Sequence, residues 1–482
     1  MVRTRFAPSP TGYLHIGGLR TALYAYLIAK KNKGTFILRI EDTDQERFVE
    51  GAVEMIIRTL DETGLKPDEG PHVGGPCGPY VQSERRAIYK EQAEALIARG
   101  GAYRCFCSKE RLETLRGECE KRGETFKYDK HCLKLSPDEA RARADAGEPY
   151  VVRQDVPQTG TTSFEDVIFG AITVENATLD DTVLLKSDGL PTYNFANVVD
   201  DYLMGITHVV RGTEYLSSSP KYNLLYTAMG WEVPVYIHVP PVMRDAQHKL
   251  SKRHGDASYD DFIQKGYLKE AIMNYIALLG WSPGTNQEMF TLEELIEAFD
   301  IAGISKAPAI FDIDKLTWLN AQYIRALTPE AFNAHARKYY KEALPPGEHD
   351  EALLARILQP RTEKFTDIPP QLDFVKELPA YTVELYTHKK MKTDAAVAKA
   401  VLETALPVLA ALDTWSEQAV HDALFTLIEA LGMKNGQVLY PVRIALCGKQ
   451  VTPGGAAEAA ALLGREESLR RLEIGLGKLG VQ

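Results

Sequence analysis

The first 45 residues constrain the fold more than any other stretch. Arg3 to Phe6 reads as a short strand, and Ala7-Pro8-Ser9-Pro10-Thr11-Gly12 follows as a Pro/Gly loop. A helix is expected from about His15 to Lys31, because Leu19, Leu23, Tyr26 and Leu27 recur at helical spacing and Gly34 lies just beyond. Thr35-Phe-Ile-Leu-Arg-Ile40 is a second strand, ending in the polar cluster Glu41-Asp42-Thr43-Asp44. Strand, tight loop, helix, strand is the opening of an open parallel sheet. Such sheets take their ligands beyond the C-terminal ends of the strands.

The rest of the chain divides by character. Residues 83–102 suggest another helix. From about Cys105 to Asp180 the sequence is charged, holds most of the cysteines and turns strand-like at 149–153 and 161–164, which reads as an insertion into the sheet domain. Sheet-like sequence returns at 182–186 and 208–211. From about residue 262 the pattern is mostly helical, and from about 325 it is Ala- and Leu-rich, as in 394–405, with Pro-rich joints at 344–347 and 368–370. A length of 482 residues suits about three domains.

Charge and composition exclude several classes. Apolar residues make up 45% and charged residues 25%, which excludes disorder and collagen-like readings. No apolar run is long enough to span a membrane, and the N-terminus has no apolar signal region. Six cysteines are too few for a disulfide scaffold, so the expected compartment is the cytoplasm. The net charge of -10 speaks against a polyanionic partner. The deficit is uneven, however: residues 321–482 hold 19 basic and 20 acidic residues, so the first two thirds carry nearly all of it.

Two segments carry phosphate chemistry. Pro8 to Gly18 places His15, Gly17 and Gly18 at the first turn of a helix after a strand, where unpaired N–H groups and the helix dipole favour an anion. An imidazole there can donate to a phosphate oxygen, and Gly17, lacking a Cβ, lets a base or ribose approach; a capping histidine in a plain turn would look the same. His248-Lys249-Leu250-Ser251-Lys252-Arg253-His254-Gly255 is either a solvated basic loop or a mobile loop that closes over a polyphosphate.

In that order and separation the two segments resemble the signatures of class I aminoacyl-tRNA synthetases. His15-Ile16-Gly17-Gly18 resembles their His-Ile-Gly-His motif, and Lys249 to Arg253 resembles their Lys-Met-Ser-Lys-Ser loop. The similarity is closest to the bacterial glutamyl-tRNA synthetases. Residues 3–12, Leu38-Arg-Ile-Glu-Asp-Thr-Asp44, residues 187–201 and Arg211-Gly-Thr-Glu214 carry it. The resemblance implies an α/β Rossmann-type catalytic domain with an α+β insertion, then a helical stem-contact domain and an all-α anticodon-binding domain. The implied boundaries are 1–84 and 191–242 for the catalytic halves, 85–190 for the acceptor-end insertion, 243–324 for the stem contact and 325–482 for the anticodon reader. Arg361 and Lys364 are candidate contacts in the last.

The resemblance also implies ATP and Mg2+, L-glutamate and tRNA(Glu) as reactants, and a monomer. His15 and Lys252 would stabilise charge on the α-phosphate and leaving pyrophosphate. Gly17, Gly18, Lys249, Ser251 and Arg253 would complete the ATP site. The family's glutamate pocket maps onto Arg5, Ala7, Ser9, Glu41, Tyr193, Asn197, Arg211 and Glu214. Among these, Arg5 offers a fork to a carboxylate and Glu41 a partner for the ammonium. A buried Arg facing the side-chain carboxylate would reject glutamine, which leaves it unpaired. Cys105-x-Cys107 followed distantly by Cys132 resembles the Zn2+ site of some family members. Lys134 replaces their fourth ligand, leaving His131 or Cys119 as substitutes.

The nearest alternatives are a glutaminyl-tRNA synthetase, whose C-terminal β-barrels do not match this helical end, and a related nucleotidyltransferase without tRNA. A shortened tRNA-modifying relative and a non-catalytic tRNA-binding paralogue fit less well. Whether tRNA(Gln) is also glutamylated is left open by the sequence.

Overall fold

The computed structural model describes residues 1–250 and 258–480. Ser251, Lys252 and Arg253 lie outside the described residues. The chain forms two compact units, one of residues 1–262 and 272–312 and one of residues 263–271 and 313–482. No helix of the described residues is long and apolar enough to cross a membrane.

In the first unit, strand β1 (Arg3–Phe6) pairs in parallel with β2 (Thr35–Leu38), joined by the helix Ile16–Lys31. That helix is buried along Ile16, Leu19, Leu23 and Leu27 and over the whole run Ala22–Ala29. Arg20 anchors it, donating from Nη1 to the Leu279 carbonyl at 2.8 Å and from Nη2 to the Pro240 carbonyl. Gly34 is required by close approach: any Cβ there would run into the Val2 carbonyl.

Five further strands lie in the inserted stretch. The strands β3 (Ala102–Cys105), β4 (Val151–Gln154) and β7 (Val183–Leu185) form a separate antiparallel sheet. The hairpin β5 (Thr161–Asp166) and β6 (Gly170–Glu175) does not join it. Instead Asp166 pairs in parallel with Tyr236 of β9 (Val235–Val239), which in turn pairs in parallel with β8 (His208–Gly212). The Thr207 amide just before β8 donates to the Arg3 carbonyl at 2.9 Å, which sets β8 beside β1. The C-terminal ends of β1, β8 and β9 therefore converge.

The second unit is helical, with one continuous core. The helices Ala395–Ala410, Glu417–Leu431 and Asn435–Cys447 bury Leu402, Leu424 and Leu446 together with Leu472. The final helical stretch, Ala456–Gly480, bends at Gly464, whose φ of 76° no regular helix contains. Leu268 and Ala271 belong to this core, so the segment 263–271 completes it although it lies far earlier in the chain.

Candidate active site

The loop after β1 and the segment after β2 are laced together. The Arg39 amide donates to the Phe6 carbonyl and the Glu41 amide to the Pro8 carbonyl, each at 3.0 Å. This brings Ala7, which is half-buried, and Ser9, which is exposed, beside Glu41.

His15 caps the first helix. Its Nδ1 accepts from the Gly17 amide at 3.0 Å, and its carbonyl accepts from Leu19 at 2.9 Å. A ring nitrogen that accepts carries no proton, so the neutral imidazole has its proton on Nε2. The observed contact is the capping one, made through Nδ1, with the proton on Nε2. A Cβ on Gly17 would press on His15 Nδ1 at 3.3 Å, and one on Gly18 would press on Leu14. Lys249 is exposed and sits in a bridge to Met243.

Arg5 is buried on β1. Its Nε donates to Asp201 Oδ1 at 3.0 Å and its Nη1 to the Val210 carbonyl at 3.1 Å. Two of its five N–H groups are thus committed, and the guanidinium is held in place by them. Asp201 also accepts from Arg39 Nη1 at 2.7 Å, and Arg39 Nη2 donates to Glu41 Oε1 at 3.1 Å. The neighbouring Asp200 accepts from Arg85 and Tyr89 at 2.8 Å each and from Gln82 at 2.9 Å.

These buried charges set one another's protonation. Burial pushes the Asp201 carboxyl up, but Arg5 and Arg39 outweigh it and hold it below the ordinary range. For Glu41 the balance reverses. Burial dominates, and Arg39 and Arg5 only partly offset it, so the carboxyl is pushed up to about 7. Burial lowers Arg39, yet Asp201, Glu41 and Asp200 together raise it well above its ordinary value, so it stays charged.

Tyr193 and Asn197 lie one turn apart on the helix Tyr193–Leu203, where Asn197 Nδ2 donates to the Tyr193 carbonyl at 2.6 Å. The Tyr193 ring stacks on Tyr215 at 5.1 Å. Burial raises the Tyr193 phenol, with the Glu41 charge adding to it and Arg211 opposing, so it remains a neutral donor. Arg211, buried at the end of β8, lies over the rings of Tyr215, Tyr222 and Tyr236, at 5.4, 4.8 and 5.0 Å. Glu214 is exposed and folds back over Gly212, where a side chain would collide with its carboxylate.

Glu41 feels the charges of Arg39 and Arg5, and Tyr193 those of Glu41 and Arg211, so Arg5, Glu41, Tyr193 and Arg211 are neighbours at the strand ends. Arg39, Asp200, Asp201 and Arg85, which hold this group, were not singled out as site residues from the sequence. The available signal was a charge inside an apolar strand (Arg39) and an acidic pair closing a helical run (Asp200, Asp201).

A second cluster lies apart from this one. The sulfurs of Cys105, Cys107 and Cys132 fall within 4.8 Å of one another. Neither His131 nor Cys119 joins that group. The Tyr128 hydroxyl does approach it, 3.3 Å from Cys105 Sγ and 3.2 Å from Cys107 Sγ, and it accepts from the Cys132 amide at 3.1 Å.

Comparison with known proteins places the chain in a family. Residues 1–318 match the family described as tRNA synthetases class I (E and Q), catalytic domain, and residues 316–476 match an anticodon binding domain. A glutamate–tRNA ligase of Clostridium tetani is 59% identical over 478 residues, covering 99% of this chain and 98% of that protein. One from Clostridium botulinum strain Hall is 60% identical over the same length, covering 99% and 98%. Among solved structures, a glutamate tRNA ligase from Elizabethkingia meningosepticum in complex with its amino acid superposes with a TM-score of 0.90. It is 36% identical, and 99% of each chain is covered.

Proposed function

The chain belongs to the class I tRNA synthetases of the glutamate and glutamine type, and from that membership we propose that it ligates L-glutamate to tRNA(Glu) at the expense of ATP. The glutamate α-carboxylate oxygen attacks the α-phosphorus of ATP, and the bond to pyrophosphate breaks. The 2′-hydroxyl of the terminal adenosine then attacks the activated carbonyl, and AMP leaves. The nucleophiles belong to the substrates, so the protein's task is positioning and charge neutralisation.

The observation that carries the choice of glutamate is the charge pattern of the pocket. Beyond the Arg39–Asp201 ion pair, the buried charges at the strand ends are two guanidiniums, Arg5 and Arg211, and one carboxylate, Glu41. Glutamate offers the complement, two carboxylates and one ammonium. In this reading Tyr193, Asn197 and Glu214 complete the glutamate site, with Ala7 and Ser9 at its edge. Glutamine would leave one guanidinium facing a neutral amide, a mismatch worth several kcal/mol by order of magnitude, ~3.

For ATP, the Nε2–H of His15 is the donor toward a phosphate oxygen, and Gly17 and Gly18 leave room for the nucleoside. Mg2+ would enter with ATP and supply positive charge to its phosphates. Lys249, Ser251, Lys252 and Arg253 close over the phosphates in this reading, with Lys252 acting on the leaving pyrophosphate. Zn2+ fits the second cluster chemically: Cys105, Cys107 and Cys132 would hold it by sulfur, with the Tyr128 oxygen in fourth place. Its role there would be structural.

The test is ATP–pyrophosphate exchange with glutamate or glutamine, each with and without tRNA, followed by charging of purified tRNA(Glu) and tRNA(Gln) transcripts. Glutamate-dependent exchange and charging of tRNA(Glu) are expected. Preference for glutamine would overturn the pocket assignment, and charging of the second transcript would widen the acceptor range.

A further inference from the structure

We propose that His238 is a positioning residue for Arg211. Its Nε2 fixes the guanidinium that receives a substrate carboxylate, and Asp166 fixes the tautomer that allows it to do so. This rests on the reading of Arg211 as a glutamate-binding residue.

The argument starts from hydrogen-bond polarity. An arginine Nε–H can only donate, and Arg211 Nε lies 3.0 Å from His238 Nε2. That nitrogen must present its lone pair, so the ring is neutral and its proton sits on Nδ1. Nδ1 lies 2.7 Å from Asp166 Oδ2, which is the acceptor this tautomer needs. The same oxygen accepts from the His238 amide at 3.0 Å. The other Asp166 oxygen accepts from the Ile168 and Phe169 amides, at 2.9 and 2.8 Å. Asp166 is therefore locked at the end of β5, where the hairpin meets β9. Burial also pushes the His238 imidazole down, against the pull of Asp166, which keeps it neutral near pH 7.

A second acceptor completes the hold. Arg211 Nη2 donates to Ser219 Oγ at 2.8 Å, and that hydroxyl donates to the Tyr215 carbonyl at 2.9 Å. The guanidinium is thus fixed in its plane by an imidazole and a hydroxyl, among three tyrosine rings. Both directly bonded side chains are neutral. Arg5 differs, since its Nε already meets the carboxylate of Asp201. Asp166 is set back behind the imidazole, and the Asp201 charge reaches Arg211 without being one of its hydrogen-bond acceptors. The geometry fixes the cation without quenching it, and its remaining N–H groups stay available for a carboxylate.

The experiment uses the full-length protein with ATP and tRNA. Steady-state constants are measured for the natural sequence, His238→Leu and His238→Gln, together with 15N NMR of histidine-labelled protein, the His238 signals being assigned by their loss in His238→Gln. His238→Leu should raise the KM for glutamate at least about tenfold while the KM for ATP stays within about twofold. His238→Gln, whose amide oxygen can accept from Arg211 Nε, should recover most of that loss. The His238 ring should be neutral with its proton on Nδ1 at pH 7.5. An unchanged glutamate KM in His238→Leu, a Gln variant no better than Leu, or a ring protonated on Nε2 would each overturn the proposal. If His238→Leu does not fold, the Gln variant and the tautomer decide it. A natural protein that charges no tRNA with glutamate would instead overturn the functional reading, leaving the tautomer measurement to judge the hydrogen bond on its own.

Discussion

Glu41 and Arg5 show how much of the chemistry is decided atom by atom. A carboxyl pushed up to about 7 is partly protonated in the unliganded site at neutral pH. It must ionise to pair with an ammonium, so glutamate binding should release protons. Below pH 7 the affinity should fall by up to about tenfold per pH unit, and Glu41→Gln should abolish both effects. Calorimetry in buffers of different ionisation enthalpy reads the proton count directly; no proton release at pH 7 would remove Glu41 from the ammonium site. The sign for folding stability follows from the same shift. The folded value lies above the ordinary one, so Glu41's contribution is full at acid pH and is lost as pH rises through about 7. Glu41→Gln should therefore melt higher than the natural protein at pH 8, with the gap closing near pH 5. Arg5→Ala should lower kcat/KM for glutamate by at least roughly a hundredfold, with the KM for ATP within about threefold. Equal losses for both substrates would mean that Arg5 supports the fold and not the pocket.

At the scale of elements, the inserted stretch is where local pattern and pairing part company. Its strand-like segments do form strands, yet β5 pairs with β9, with β6 on its other edge, while β3, β4 and β7 form their own sheet. The hairpin's placement matters, because it delivers Asp166 to His238. Within the insertion, Tyr128 closes the cysteine cluster from a segment with no regular secondary structure. Metal analysis of the purified protein should find close to one zinc per chain, and Tyr128→Phe should lose zinc to a chelator faster than the natural protein. Less than about a tenth of an equivalent in the natural protein would end the zinc assignment. In the second unit, Leu402→Ala removes a fully buried side chain from the helix Ala395–Ala410 and should cost about 3 kcal/mol. Denaturant unfolding followed in the helical unit measures it, and a cost below about 1 kcal/mol would show that the core collapses around the gap.

For the whole molecule, net charge is the property most easily misread. A chain at -10 that acts on tRNA must do so through local basic faces, so binding should be selective and steeply salt-dependent. Filter binding from 50 to 300 mM salt should show tRNA(Glu) affinity falling with salt; tight binding to heparin at physiological salt would contradict this picture. The sequence by itself determined the opening βαβ unit and the helical C-terminal unit, because periodicity and turn chemistry act within a few residues. Its motifs also resemble those of a known family, and that resemblance pointed to His15, Arg5, Glu41, Tyr193 and Arg211 as site candidates. Only the tertiary structure decided which charges meet. Asp200 and Asp201 reach Arg85, Arg39 and Arg5 across more than a hundred residues of chain, and Asp166 reaches His238 across seventy-two. Such pairings depend on strand order and burial in three dimensions, and burial is also what lifts Glu41 toward neutrality. No local pattern encodes either.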